Sequence, residues 1–249
     1  EAGTYAGGIN VNKAGVKLVG HGLPSVGLAT VDHYPTGILI NADDVTVDGF
    51  KITGAGEAGN QWHGIRIKGD NVVVASNTIS GVFDGIATSG VTNNHQLAFN
   101  TITDVTGAGI RMQNGGSGAV IDANTVTNAA AGVVLDSVQN VTISRNTLDN
   151  NTWDGIGMDG NVSGTIIRNS FIRGNLEHGI FIASGTGPTT IVDNHIAGNG
   201  IGLQNSGSGV AMVAQNWWGS PTGPTGAVNS DPNALGDKVI GLAQVAPWL

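Results

Sequence analysis

The chain contains no cysteine, so disulfides and thiolate chemistry are both excluded. Charged residues make up 11% of the 249 positions and aromatic residues 5%. Charge that sparse, in a chain rich in Ile and Val, excludes a disordered polyelectrolyte. Lys and Arg number 10 against 18 Asp and Glu, a net charge of -8. That balance argues against a nucleic-acid backbone as partner. No apolar run reaches the length of a membrane-spanning helix. No segment carries a helical stripe flanked by caps. The opening residues EAGTYAGG read as mid-domain sequence rather than as a secretory leader, so a leader is expected upstream or already removed if the protein is secreted.

Glycine is what the chain has in excess, with 41 residues and no three-residue period. Such a count serves a chain with many tight turns. Asparagine recurs about every 23 residues, at Asn77, Asn100, Asn124, Asn146, Asn169, Asn194 and Asn216. A Gly-Ile or Gly-Val phrase keeps the same period at Gly37, Gly64, Gly85, Gly109, Gly132, Gly155, Gly179 and Gly200. Two signals locked at one period mark a repeat architecture. Within each period lie two or three short runs with strand-like alternation, parted by Asn, Gly, Ser or Asp. Such runs bury their apolar faces by winding the chain and stacking the turns, which gives an all-β parallel β-helix.

The register then assigns side chains. Ile65, Ile86, Ile110, Val133, Ile156, Ile180 and Ile201 form one expected inward column. Ile67, Thr88, Met112, Leu135, Met158, Ile182 and Leu203 form the next. The asparagines have a structural explanation, because Asn tolerates a left-handed turn and its amide can both donate and accept between coils.

The coils resemble the right-handed parallel β-helix repeats of the pectate-lyase-like superfamily. They are most similar in pattern to bacterial and archaeal surface and periplasmic β-helix proteins. In those families an opening phrase like AGTYAGGINVNKAGVKLVGHG precedes the coils, and NWWGSPTGP followed by PWL closes them. The closing residues here include Asn216, Trp217, Trp218, Gly219, Pro221, Gly223 and Pro224, then Gly236, Asp237, Pro247 and Trp248. The resemblance implies a single right-handed parallel β-helix of about eight to nine coils over residues 1–224, with a short C-terminal cap over 225–249. It also implies an N-terminal helix and strand upstream of Glu1. An open end at Glu1 would be a template for a neighbouring subunit, so a homo-oligomer or filament is one expectation.

Chemistry on such a rod needs side chains from successive coils on one outer face. The residue before each Gly-Ile phrase includes His63, Asp84, Asp154 and His178. His63 and Asp84, with Arg111, form a candidate catalytic acid/base group beside a cation. Trp62, Phe83, Arg66 and Lys68 are candidate substrate-binding residues, the aromatic rings stacking on sugars and the cations meeting uronate carboxylates. A second group, Trp153, Asp154, Asp159, Glu177 and His178, pairs carboxylates with a histidine, as a glycosidase or cation site would.

Motifs of known enzymes are incomplete. His63–Lys68 contains the Arg-Ile-Lys of polygalacturonases, Gly20-His21-Gly22 their Gly-His-Gly, and Asp43-Asp44 their paired acids. The order along the chain differs, and no Asn-Thr-Asp segment accompanies them. Asp32-His33 lacks the neighbours of the pectate-lyase phrase. The Asp-Pro-His-Glu signature of mannuronan epimerases is missing. The six histidines show no close metal-ligand spacing, and no metal site or cofactor is assigned. Asn229, Asp231 and Asn233, with Asp237 nearby, offer alternating oxygens that could hold Ca²⁺. The expectation is therefore an extracellular, cell-surface or periplasmic module that contacts a polysaccharide, or a neighbouring subunit end to end. The alternative is a lyase, hydrolase or epimerase acting on uronate glycans.

Overall fold

The computed structural model describes residues 4–5, 8–21, 25–26, 29–31, 34–54, 62–226, 229–245 and 247–249. Every regular element among them is a β-strand. The strands stack into three parallel sheets of 11, 10 and 9 strands. The 11-stranded front sheet contains His63–Ile67, Asp84–Thr88, Ala108–Gln113, Ala131–Asp136, Asp154–Asp159 and His178–Ile182. The second sheet contains Val73–Ala75, Gln96–Ala98, Val120–Asp122, Thr142–Ser144 and Thr165–Arg168. The third contains Thr78–Ser80, Thr101–Thr103, Thr125–Thr127, Thr147–Asp149, Phe171–Arg173 and His195–Ala197. Each coil visits front, second and third sheet in turn. One local pair is antiparallel, Ala29–Val31 against Tyr34–Thr36.

The regular repeat runs for about seven turns rather than the expected eight to nine. Ahead of it lie the shorter strands Ile9–Val11, Lys17–Val19 and Ser25–Val26. Behind it, Val239–Gly241 joins the front sheet and Ala243–Val245 the second. The long gap between Ala214 and Val239 breaks the period there. Within that gap Trp218 is fully buried, with its ring beneath Gly202. Glu1, Gly22 and Asp32-His33 lie outside the described residues, so the open-end and two motif expectations fall there too.

The bore is filled by Ile38, Ile65, Ile86, Ile110, Val133, Ile156 and Ile180, all fully buried. The column then departs from expectation. His178 pairs with Ile201 and Ile180 with Leu203. Leu203 therefore takes the place expected for Ile201, which is half-buried, and Asn205 follows Ile182 in place of Leu203. The glycine column shows why the phrase repeats. A Cβ on Gly64 would lie 2.6 Å from the Gly85 carbonyl oxygen, and one on Gly179 would lie 2.6 Å from that of Gly202. Backbones pass too closely there for any side chain. The column ends at Gly202, not at Gly200.

The asparagine ladder sits in the corner between the second and third sheets. The Asn100 amide nitrogens donate to the Asn124 carboxamide oxygen, one from the backbone at 3.0 Å and one from the side chain at 2.9 Å. Asn124 repeats this toward Asn146 at 2.9 and 3.0 Å, and also donates to the Leu97 carbonyl at 2.8 Å. Asn169 is not in the ladder. It is exposed, and buried Ser170 holds the ladder position, accepting from Asn146 N at 3.1 Å and donating its own N–H to Asn194 at 2.9 Å. Asn169 instead joins Ser76, Phe99, Ala123, Arg145, Asp193 and Gln215 as the left-handed residue that precedes each ladder position. Left-handed backbone is uncommon for such residues. The ladder bonds and the inter-coil bond from each of their N–H groups hold them there.

A second ladder went unread in the sequence. Asn151, Asn175 and Asn199 are buried at the corner between the third and front sheets. Each backbone N–H donates to the next carboxamide oxygen at 3.1 Å, from Asn151 to Asn175 and from Asn175 to Asn199. Asp237 closes the run, accepting from Gly198 N, Asn199 N and Asn199 Nδ2, each at 2.9 Å. Asp237 thus terminates the ladder. Asn229 and Asp231 accept from the backbone N–H two residues on, at 2.9 and 2.8 Å, as Asx turns.

Replacing Asn124 by alanine strands several buried backbone groups, each costing about 1–3 kcal/mol. The Asn124→Ala variant should lose on the order of 3 kcal/mol in urea unfolding monitored by circular dichroism. Asn169→Gly keeps the left-handed turn and should change stability by less than about 0.5 kcal/mol. Equal losses in the two variants would refute the assigned ladder register.

Candidate functional site

The front sheet brings the sequence-derived residues onto one outer face. Trp62, Phe83, Trp153 and Glu177 occupy one corner row, linked coil to coil by backbone bonds through Gly107 and Ala130. The adjacent row runs His63, Asp84, Ala108, Ala131, Asp154 and His178. His63 is in register with Asp84, and Asp154 with His178. The outward row three residues on runs Arg66, Ala87, Arg111, Val134, Gly157, Phe181 and Gln204. The face therefore has a charged group at each end, parted by the small residues Ala108 and Ala131.

At the first end Asp84 is almost wholly buried. Arg111 grips it with two donors, Nε to Oδ2 at 3.0 Å and Nη2 to Oδ1 at 3.3 Å. Ala108 N donates to Oδ1 at 2.7 Å. This fork-on-carboxylate geometry compensates the buried charge and fixes Arg111 flat on the face. His63 Nδ1 lies 3.6 Å from Asp84 Oδ2, beyond hydrogen-bond reach, and has no partner among the described residues. Burial lowers the His63 pKa to about 4, against the pull of Asp84 and with help from Arg66 and Arg111. His63 is therefore neutral at physiological pH. Arg66 donates to Ser89 Oγ at 2.9 Å. Trp62, Phe83 and Lys68 are half-buried at the edges of the group.

The second end is built differently. His178 Nδ1 bonds Asp154 Oδ1 at 2.8 Å, and its Nε2 lies 3.3 Å from Gln204 Oε1. The ring is also 5.0 Å from that of Phe181. Burial raises the Asp154 pKa, opposed by the His178 bond and reinforced by Glu177. Beside it, Asp159 is raised by burial and by its register neighbour Asp136, and lowered by Arg111. Trp153 is 58% exposed at the corner. The partner role of Gln204 was missed because the two-residue shift near Ile201 moves it into the row of Phe181.

The chain matches a family model described as "Right handed beta helix region" over residues 36–217, most of its length. It belongs to that family. This right-handed β-helix matches no curated protein. Solved structures share its fold at low identity. The periplasmic alginate epimerase AlgG superposes with a TM-score of 0.62 at 14% identity, over 91% of this chain and 68% of that one. An alginate lyase from Paenibacillus sp. str. FPU-7 gives 0.62 at 14%, over 97% and 99%. The Dettilon tailspike protein gives 0.62 at 14%, over 98% and 60%. Likeness at that identity is a likeness of fold.

Asp154, Glu177 and His178 each offer a ligand-type atom, and these atoms all lie within 4.8 Å of one another, Glu177 being exposed. Such a set suits a borderline divalent cation, which would displace the His178–Asp154 bond to bind. No helix among the described residues of the β-helix is long and apolar enough to cross a membrane.

Protonation gives a direct check on the buried imidazoles. His95 resembles His63: burial lowers its pKa to about 4, and its Nε2 has no partner among the described residues. A depressed histidine pKa contributes stability that is complete above the ordinary 6.5 and is lost as pH falls through about 4. Urea midpoints should therefore fall between pH 6.5 and 4. The fall should be shallower in His63→Gln and in His95→Asn. An unchanged pH slope in both variants would show that these groups do not charge on unfolding.

Proposed function

We propose that this protein is an extracellular, cell-surface or periplasmic β-helix that contacts an anionic polysaccharide along its front sheet. The observation that carries the reading is the pairing of rows on that face. Aromatic rings at Trp62, Phe83 and Trp153 line the corner, and Arg66 and Arg111 stand on the same outer face four residues beyond that row. Rings stack on the apolar faces of sugars, and guanidinium groups match carboxylates. Successive coils advance about 4.8 Å, close to the length of one sugar residue, so a glycan laid along the axis meets a new coil with each unit. An alginate epimerase and an alginate lyase among the fold neighbours fit this ligand class. On this reading the regular coils end near residue 224, and the segment beyond it closes the bore while its strands Val239–Gly241 and Ala243–Val245 extend the front and second sheets.

Asp84 is better suited to holding Arg111 than to moving protons, since Arg111 and Ala108 occupy both its oxygens. A second reading, catalysis, is favoured at the other end of the face. The Asp154–His178 bond of 2.8 Å beside exposed Trp153 has the form of an acid/base pair. Incubation with uronate and neutral polysaccharides, with and without Ca²⁺, tests it by new reducing ends, unsaturated products or epimerised uronates. Turnover that survives His178→Ala would exclude the pair.

The binding reading makes its own prediction. Trp153→Ala and Arg66→Ala should each weaken binding of a uronate oligosaccharide by about tenfold, roughly 1.4 kcal/mol, in isothermal titration calorimetry. Raising the salt should weaken the wild type more than Arg66→Ala. Affinities within twofold of wild type in both variants would remove the front sheet from glycan contact.

A further inference from the structure

Two cavities lie away from the front sheet, on either side of the asparagine-ladder corner. The first, of about 320 Å³, opens on the second sheet around Asp122, Ser144, Arg145, Arg168 and Asn169. The second, of about 340 Å³, opens on the third sheet around Phe171, Asp193, His195 and Trp217. Asn169 lines both, so they form one surface that turns the corner. Each volume is at the small end of the range for ligand pockets.

The register explains how this surface arises. Asp122, Ser144 and Arg168 are consecutive in one row of the second sheet. Arg145 folds back onto Asp122, its Nε 2.9 Å from Oδ1 and its Nη2 bonded to Oδ2. Ser144 Oγ donates to the same carboxylate at 2.7 Å. Arg145 is thereby neutralised and holds Asp122 below the usual carboxylate range. The Arg168 guanidinium has no hydrogen bond or salt bridge among the described residues and is exposed. It is an exposed cation at the opening, acting on the Asp122 carboxylate through space while Arg145 and Ser144 make that carboxylate's hydrogen bonds.

Around the corner, the third sheet changes character. Its outward row is Thr78, Thr101, Thr125 and Thr147, then Phe171, His195 and Trp217. The Phe171 and His195 ring centres are 5.6 Å apart, and those of His195 and Trp217 are 6.3 Å apart. Arg173 lies 5.0 Å from the Phe171 ring centre, on the side of its partner Asp149. Phe171 remains 47% exposed. A hydroxyl ladder thus gives way to three aromatic rings at the one place where a free guanidinium adjoins them.

We propose that this corner is a second carbohydrate site, which takes an oligosaccharide bearing a carboxylate. The carboxylate sits at Arg168 with the Asn169 amide beside it, and the adjoining pyranose lies against Phe171 and His195. Asp193, on the far side of the second cavity, accepts sugar hydroxyls and repels a second carboxylate, which fixes the direction of the chain. The site shares a ligand class with the front-sheet reading and no residue with it.

Calorimetric titration with an alginate tetrasaccharide, a neutral tetrasaccharide and inorganic phosphate tests the site. It is run on the wild type and on a Trp153→Ala/Arg66→Ala background that disables the front sheet. In that background the uronate tetramer should still bind, more tightly than the neutral one. Arg168→Ala and Phe171→Ala should each weaken it tenfold or more, with circular dichroism unchanged. Arg168→Lys should restore part of the loss. The proposal is overturned if the background does not bind, if both alanine variants bind within twofold of it, or if phosphate binds as tightly as the tetramer. Binding lost only through Arg168 and Phe171, and untouched by the background, would instead sink the front-sheet reading and leave this site standing.

Discussion

Everything in this molecule hangs on one exchange of hydrogen bonds between neighbouring coils. A buried asparagine receives the N–H of the ladder residue before it and hands its own N–H to the next. The exchange cannot be satisfied within one coil, so no coil is complete alone. It also dictates a left-handed residue just before each rung, which turns the chain sharply enough to keep the second and third sheets apart. Where serine substitutes, at Ser170, the exchange continues through a hydroxyl that also reaches the Arg168 carbonyl at 3.0 Å. The corner geometry is therefore set by buried polar bonding, while the apolar bore sets only the volume.

The outer faces inherit their order from that exchange. Because each coil advances by one strand, residues distant in sequence stand side by side as rows. Rows of small residues leave smooth stretches, and rows of large ones build features. Arg111 clasps Asp84 one coil before it, and Arg145 clasps Asp122 in the same way. Both pairs tie adjacent coils from outside, in parallel with the ladders within. Arg168 departs from this pattern, with no acid hydrogen-bonded to its guanidinium among the described residues.

Much of this was legible in the sequence, for a physical reason. Inward positions accept only residues that fill a uniform bore, so the Ile and Val column and the close-packed glycines repeat visibly. The adjacency of His63 with Asp84, and of Asp154 with His178, follows directly from that period. The failures lie where the period slips by one or two residues. Asn169 reads as a rung in place of Ser170 because asparagine is equally at home in the left-handed position one residue earlier. Ile201 reads as the bore residue in place of Leu203 because Gly200-Ile201 mimics the phrase that Gly202-Leu203 carries. Asp237 lies 38 residues from the asparagine it serves, and no local pattern announces such a partner. The Asn151, Asn175 and Asn199 ladder was hidden among the many other asparagines.

The spacer of Ala108 and Ala131 has an electrostatic consequence. Asp84 and Asp154 are three coils apart, about 14 Å along the axis. At physiological ionic strength the screening length is about 8 Å. The two carboxylates are therefore largely screened from each other, and what links the ends is Arg111, whose charge still lowers Asp159. Changing the proton state of Asp84 or Asp154 therefore leaves the other almost undisturbed, whereas removing the Arg111 charge would reach across the spacer and let Asp159 rise further.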